Sequence, residues 1–570
     1  MGERRSLSEL PEDIIHHILS YLTHKEAISQ VSVLAKEFLT AVRSRPPLET
    51  LVVDTHWEQE KCKQELDFVF STLVTYHKEN IHLEAFTLKA NCSHQFKNLY
   101  NPCIELAVAK KGLRILNLSV YGAALPSSVF QAEFLVELSL TRCYLEGLGK
   151  EEEKSLSTSI TPWWPNLKRL ILEDVTFYKK GMFEDIVKGC PLIETMEMNG
   201  LRCPYQKSSF RITNIHNLKQ LSVRLIPGTT VELYESPNLE SAAFGSHNPR
   251  DGYNKIIFWH SEYQNLKSLF LHENRSAVMS HSFDMSMTHK FPQLQELSIQ
   301  GVQNFQTINI SSRSLKKIKL LRICNLQEAR FDVPNIAVFE YDNYIDSKSR
   351  EFLRNKCFPE LSFNVGCGGV SSRKGTWNSR IILECNDIKI ITSRLEELKK
   401  FLTAFRGSQT LVTLYLPLSR NNKNVDDDIA DQVRTDDSVV FEKPEIREFV
   451  IHEKSISKRR SSLSSVHAVL RSVFWICRPQ TLTFQNWSDY DQYPKQIYEM
   501  LISGDHHLHD KLWDVTSIEM FQDTSKKGGQ PPQLHQPSNS EEFLKQLEAY
   551  KKTSTTIGKI TISFHLEWRN

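Results

Sequence analysis

The residues whose types and spacing could do chemistry fall in a few short stretches. Gly366-Cys367-Gly368-Gly369 is glycine-rich, as a phosphate-cradling loop would be. No Gly-Lys-[Ser/Thr] follows it and no dinucleotide-binding spacing appears, so it reads as a loop between elements. His506-His507-Leu508-His509-Asp510 offers imidazole and carboxylate ligands for a metal. It lacks a second ligand cluster and reads as a polar loop or helix start. Met279, His281, Met285, Met287 and His289 carry soft ligands at irregular intervals, the mark of an exposed insertion. His16 and His17 have no His or Cys four residues on and belong to a helix surface. No catalytic constellation emerges, so neither enzymatic turnover, a cofactor nor a metal is expected.

The elements that would position such residues are bounded by composition. The chain has 570 residues with 70 Lys+Arg against 68 Asp+Glu, a formal net charge of +2. Nucleic-acid binding by bulk charge needs concentrated Lys and Arg, so no nucleic acid is expected as partner. At this length a single compact core is excluded, because cores stop growing near ~250–300 residues. That leaves several domains or an elongated repeat array. The eleven cysteines are odd in number and never fall at Cys-x-x-Cys spacing, so no disulfide framework is signalled. A reducing compartment, nucleus or cytoplasm, is expected. No run of 18 apolar residues appears, and no membrane partner is expected. Lys454-Ser455-Ile456-Ser457-Lys458-Arg459-Arg460 is a short basic tract, read as a solvated loop or a weak import or phosphorylation signal. Residues 148–162, 419–438 and 522–542 are polar and read as flexible insertions.

Residues 1–45 form a small helical module. Pro11 suits a first helical position, and Glu12 and Asp13 favour the positive end of the helix dipole. Ile14, Ile15, Ile18, Leu19 and Leu22 then make one apolar stripe. A second amphipathic piece carries Ala27, Ile28, Val31, Leu34, Phe38, Leu39 and Val42 before Pro46-Pro47 ends it. So small a core leaves a surplus apolar face for a neighbour or a partner.

This stretch, from Leu7 and Leu10-Pro11 to Ser32-Val33-Leu34 and Phe38, resembles an F-box. The resemblance implies docking to a Skp-type adaptor and, through it, to a cullin ligase core. It places adaptor contacts on Leu10, Pro11, Ile14, Ile18, Leu19, Leu22, Val33 and Leu34. Plant F-boxes usually read Leu-Ser-Lys-Arg-Trp where this chain has Leu34-Ala35-Lys36-Glu37-Phe38.

After residue 45 a six-residue apolar phrase recurs. Its ten clear copies run from Leu113/Leu116/Leu118 to Ile336/Phe339/Tyr341, with starts 21 to 32 residues apart. Pro165, Pro191, Pro237, Pro292 and Pro334 each stand two residues before a copy, where proline can bend a helix into a strand. The intervening positions are polar, as in Lys168-Arg169 and Gln295-Glu296, which argues against strands buried on both faces. The pattern is that of leucine-rich repeats, each contributing one strand. Fainter phrases, from Leu48/Leu51/Val53 before the clear set to Leu411/Leu414/Leu416, Ile446/Phe449/Ile451, Val515/Ile518/Met520 and Ile557/Ile560/Ile562 after it, extend the array to the carboxyl terminus in irregular units. Trp475-Ile476-Cys477-Arg478-Pro479-Gln480-Thr481-Leu482 resembles a phrase found late in plant F-box/leucine-rich-repeat proteins.

The expected fold class is therefore α/β: a helical F-box over 1–45, then a leucine-rich-repeat solenoid, or horseshoe, over 46–570, clearest over 113–341. The resemblance implies a non-catalytic substrate receptor of a Skp–cullin–F-box ubiquitin ligase, with an unidentified target protein. The alternatives are an interaction scaffold that recruits no ligase and a small-molecule hormone co-receptor. Strand alternation turns the polar positions of each phrase away from the core. Arg169, Glu197, Arg224, Phe270, His272, Lys317 and Lys319 are the candidate target-binding residues on that face. Phe270 is expected as an exposed hydrophobic anchor, and Lys317 and Lys319 are expected to be neutralised by Glu340 and Asp342 on the next strand.

Overall fold

The computed structural model describes residues 50–55, 59–78, 83–90, 97–121, 124–145, 163–179, 181–203, 209–226, 228–246, 255–258, 263–272, 282–285, 291–301, 306–323, 326–345, 358–365, 377–385, 394–416, 443–453, 463–487, 492–503, 513–522, 533–534, 540–553 and 560–568. Residues 1–45, expected to be helical, and the stretches 366–369, 454–460 and 506–510 lie outside the described residues, as do 148–162 and 419–438. The chain divides into two compact units, Met1–Tyr263 and Gln264–Asn570.

In the first unit, eight strands pair in parallel and in chain order. They are β1 (Thr50–Thr55), β2 (Ala85–Ala90), β3 (Ile115–Val120), β4 (Glu137–Thr141), β5 (Arg169–Glu173), β6 (Thr195–Asn199), β7 (Gln220–Leu225) and β8 (Ser241–Ser246). Helices α1 (Gln59–Lys78), α2 (Lys97–Val108) and α3 (Met182–Lys188) lie between them in sequence. Within the second unit, eight strands likewise pair in parallel and in chain order: β9 (Ser268–His272), β10 (Glu296–Gln300), β11 (Lys317–Leu321), β12 (Val338–Ile345), β13 (Asn378–Cys385), β14 (Gln409–Leu416), β15 (Glu445–Glu453) and β16 (Arg478–Trp487).

Every position of the ten clear phrases is buried, none more than 6% exposed. Burying a Leu, Ile or Phe side chain is worth about 1.5–3 kcal/mol, so stacked phrases carry the cohesion that no single unit could supply. Among the fainter phrases, the one at Leu411 is shifted: Val412 and Leu414 are buried, while Leu411 stands half-buried on the opposite face.

The prolines make turns. Leu167, Ile193, Leu239, Leu294 and Ile336 each donate their N–H three residues back, to Trp164, Cys190, Ser236, Phe291 and Val333, over 3.1–3.3 Å. Each proline thereby takes the second place of a β-turn, where its fixed φ is preset. Helix α3 feeds the turn at 190, but strands Thr230–Leu233 and Glu328–Asp332 feed those at 236 and 333. The expectation of a helix bent into a strand therefore holds at one of these three places.

At the carboxyl ends of the strands stands a second row. Arg142, Asp174 and Arg322 take positive φ values of 57°, 52° and 53°, and Gly200 and Gly301 take 65° and 71°. Each directly follows its strand. The N–H of Arg142 donates to Glu173 (2.8 Å), that of Asp174 to Asn199 (2.7 Å) and that of Gly200 to Arg224 (2.9 Å). The left-handed turn aims each N–H at the neighbouring repeat.

Three expectations are corrected. First, over 209–364 the described layer opposite the main strands is also made of strands, parallel in two sheets: 209–212, 230–233 and 255–258, then 282–285, 307–311, 328–332 and 360–364. Residues 282–285 are thus a paired strand within what was expected as an exposed insertion. Beyond them helix α4 (Leu395–Thr403) replaces strand, and Phe331, Phe339, Phe363, Trp377 and Phe405 pack ring to ring at the change, Phe331 on Phe363 at 4.8 Å. Second, the repeat progression stops at β16. After helices α5 (Leu463–Ile476) and α6 (Gln492–Ser503) come β17 (Trp513–Gln522) and α7 (Ser540–Thr553). The last strand, β18 (Ile560–Trp568), then inserts antiparallel between β16 and β17. Parts of 522–542 are ordered too: Gln533–Leu534 pairs with β17, and α7 begins at Ser540. Third, Cys62 is fully buried and disulfide-bonded, which the odd cysteine count did not signal.

Candidate binding surface

The polar positions of the parallel strands share one face in each unit. In the first unit Arg169 lies opposite Thr195, and its guanidinium reaches diagonally to Glu197 at 2.9 Å. Two of the candidate residues thus engage one another. One row along, Asn199 donates to Glu173 over 3.2 Å. Arg224 is exposed on β7, and among the described residues no ion pair reaches it. Both side chains of the Arg169–Glu197 pair are over 40% exposed, so the pair is worth at most about 1 kcal/mol and can be exchanged for a partner.

In the second unit Phe270 is half-buried, its ring parallel to His272 at 6.2 Å, with Ser298 as its strand neighbour. The expected exposed anchor is instead a partly covered one. His272 Nδ1 lies 2.9 Å from Gln300 Oε1. Lys317 Nζ stands 3.3 Å from Glu296, and Lys319 Nζ bridges Glu296 at 4.0 Å and Glu340 at 3.5 Å. The lysines are neutralised across strands as expected, but by Glu296 and Glu340 rather than by Asp342. Asp342 is half-buried between Leu321 on β11 and Ile382 on β13. Burial pushes its carboxyl above the ordinary aspartate range; Arg322 opposes that shift and Glu384 adds to it.

Past β12 the phrase no longer reveals the face, because strands lengthen to eight residues or more. The structure adds Arg380, Glu384, Glu448, Thr483 and His565 to it. Thr483 donates to Glu448 over 2.9 Å and lies 3.0 Å from Ser563 across the antiparallel seam. Alternation in Arg380-Ile381-Ile382-Leu383-Glu384 was the available signal.

The late phrase at 475–482 is a structural seam. Lys399 Nζ sits 4.6 Å over the Trp475 ring, the Cys477 thiol donates to Val473 O, and the Pro479 carbonyl accepts from Trp568 Nε1 at 2.7 Å. Among the described residues no group of three His, Cys, Asp or Glu could hold a metal, and no helix is long and apolar enough to cross a membrane. The adaptor-contact candidates Leu10, Pro11, Ile14, Ile18, Leu19, Leu22, Val33 and Leu34 lie outside the described residues.

Residues 7–50 match the F-box domain family. A putative F-box/LRR-repeat protein of Arabidopsis thaliana is 28% identical over 243 residues, which is 41% of this chain and 50% of the relative. A second putative one is 29% identical over 223 residues (38% and 46%), and an F-box/LRR-repeat protein of the same plant is 30% identical over 228 (39% and 45%). The matches span about half the length of these curated relatives. The chain is similar to the plant F-box/leucine-rich-repeat family, as its motifs led one to expect.

Proposed function

From a chain of this likeness, we propose that it is the substrate-recognition subunit of a Skp–cullin–F-box ubiquitin ligase. The F-box at 7–50 would hold the Skp-type adaptor, and the polar face of the leucine-rich repeats would hold a target protein. The chain makes no bond itself. Its mechanism is proximity: a target held beside the charged conjugating enzyme presents its lysines at high effective concentration.

The observation that carries this reading is the joining of an F-box to strands that bury every position of the ten clear phrases and leave a weakly paired polar face. The leucine-rich-repeat assignment of those strands, the boundary near residue 45 and a nuclear or cytoplasmic location belong to the same proposal. Capture of a Skp-type adaptor by the full chain, lost in Leu10→Ala/Pro11→Ala, is the expected result. No capture by the wild type would remove the ligase role and leave a scaffold, the reading favoured by Glu37-Phe38 standing where plant F-boxes carry a basic residue and tryptophan.

A further inference from the structure

The second unit's polar face holds two lysines whose charge is spent and, beside them, a carboxylate with no ion pair among the described residues. Lys317 and Lys319 are held by Glu296 and Glu340 at 3.3–4.0 Å. Two residues further along β12, Asp342 sits in register with Leu321 on one side and Ile382 on the other, both half-buried. Among the described residues no cation stands within ion-pair distance of its carboxylate. Arg322 acts on it only from the strand end, through a left-handed residue whose N–H already donates to the Asp342 carbonyl. Glu384 lies on the same side and repels it.

A carboxylate flanked by aliphatic side chains, with its neighbouring lysines engaged elsewhere, is complementary to a cation on an apolar stem. The geometry points to Asp342 as the anchor for a Lys or Arg side chain of the target, flanked there by aliphatic residues that pack on Leu321 and Ile382. Long basic side chains suit such a place, since their methylene stems lie along apolar surface while the head group meets the charge. The charge of the bound cation would offset the desolvation and the Glu384 repulsion that Asp342 now bears. This inference rests on the target-binding reading of the face and names the chemistry it selects.

The test uses the full chain and a display library of random short peptides. Wild type should enrich peptides with a Lys or Arg beside aliphatic residues. These should bind Asp342→Asn, which keeps the side-chain shape, about tenfold or more weaker, as expected for truncating one partner of a desolvated charge pair. Asp342→Lys should lose them and select acidic peptides instead. Enrichment without a basic residue, or equal binding to Asp342→Asn, would overturn the anchor. Adaptor capture through residues 7–50, measured on the same preparations, separates the two failures. Capture with no basic peptides removes the anchor alone, whereas basic peptides without capture remove the ligase role alone.

Discussion

Asn238 donates its side-chain amide to the backbone carbonyl of His216, 2.8 Å away in the preceding repeat. The same bond runs from Asn166 to Glu133 (2.9 Å), from Asn217 to Pro191 (3.0 Å) and from Asn335 to Arg313 (2.7 Å). In each case the donor directly precedes its phrase and the acceptor lies two residues before the previous one. The amide thus ties consecutive turns at the amino edge of the strands, as the left-handed row ties the carboxyl edge.

Asn238→Ala should lower stability by about 1 kcal/mol, the usual net worth of one hydrogen bond. Asn238→Asp should cost more, because a carboxylate cannot donate and would face the His216 carbonyl. Urea unfolding midpoints check both, and two wild-type midpoints would show the ladder to be idle.

Gly200 and Arg142 occupy equivalent left-handed positions, so opposite substitutions should have opposite signs. Gly200→Ala should destabilise by about 1 kcal/mol, since a Cβ is strained at positive φ. Arg142→Gly should stabilise by a few tenths to about 1 kcal/mol after the looser unfolded chain is counted. The exposed Arg142–Asp174 pair at 4.0 Å that it removes is worth little. Paired thermal melts read the two signs.

Burial pushes the thiols of Cys103, Cys143 and Cys190 up to about 12, and that of the fully buried Cys477 up as well. The thiolate is the reacting form, so near pH 8 a group titrating at 12 is ionised in roughly one molecule in 10⁴. These four should resist alkylation until the chain unfolds, while the half-buried Cys203 reacts in the folded state. Mass mapping after iodoacetamide at pH 8 shows the order, and early modification of Cys477 would contradict its placement.

Trp568 closes the antiparallel seam by donating to Pro479 and packing against Trp513 at 5.5 Å and Phe474 at 5.8 Å. Trp568→Phe keeps a ring but loses the donor and part of the packing, for an expected loss of about 1–3 kcal/mol. Hydrogen exchange should quicken first in β16 and β18. Uniform quickening across the second unit would argue against a local seam.

Much of the main sheet was legible because its signal is local. A phrase such as Leu167/Leu170/Leu172 repeats its own burial pattern, and Pro165 marks its turn wherever the chain goes. The asparagine before the phrase was equally visible, yet its meaning lies in a carbonyl one repeat away. Arg142, Asp174 and Arg322 carried no signal, because glycine is the residue that advertises a positive φ. For the candidate surface, the face of Arg169, Glu197, Lys317 and Lys319 followed from alternation. Their engagement did not, since a diagonal reach from Arg169 to Glu197 depends on register between strands.

The amino-acid sequence by itself determined which side chains of the ten clear phrases enter the core, where their strands lie, and that an F-box-like segment precedes them, because these depend on spacing within a few residues. Only the tertiary structure decided that strands rather than helices form the opposite layer among the described residues of 209–364, and that β18 returns antiparallel to end the array. It alone paired Lys317 and Lys319 with Glu296 and Glu340 and left Asp342 without an ion-pair partner among the described residues. The physical reason is common to all three: strand pairing and charge neutralisation are settled by neighbours distant in sequence, competing for the same backbone groups and the same cations.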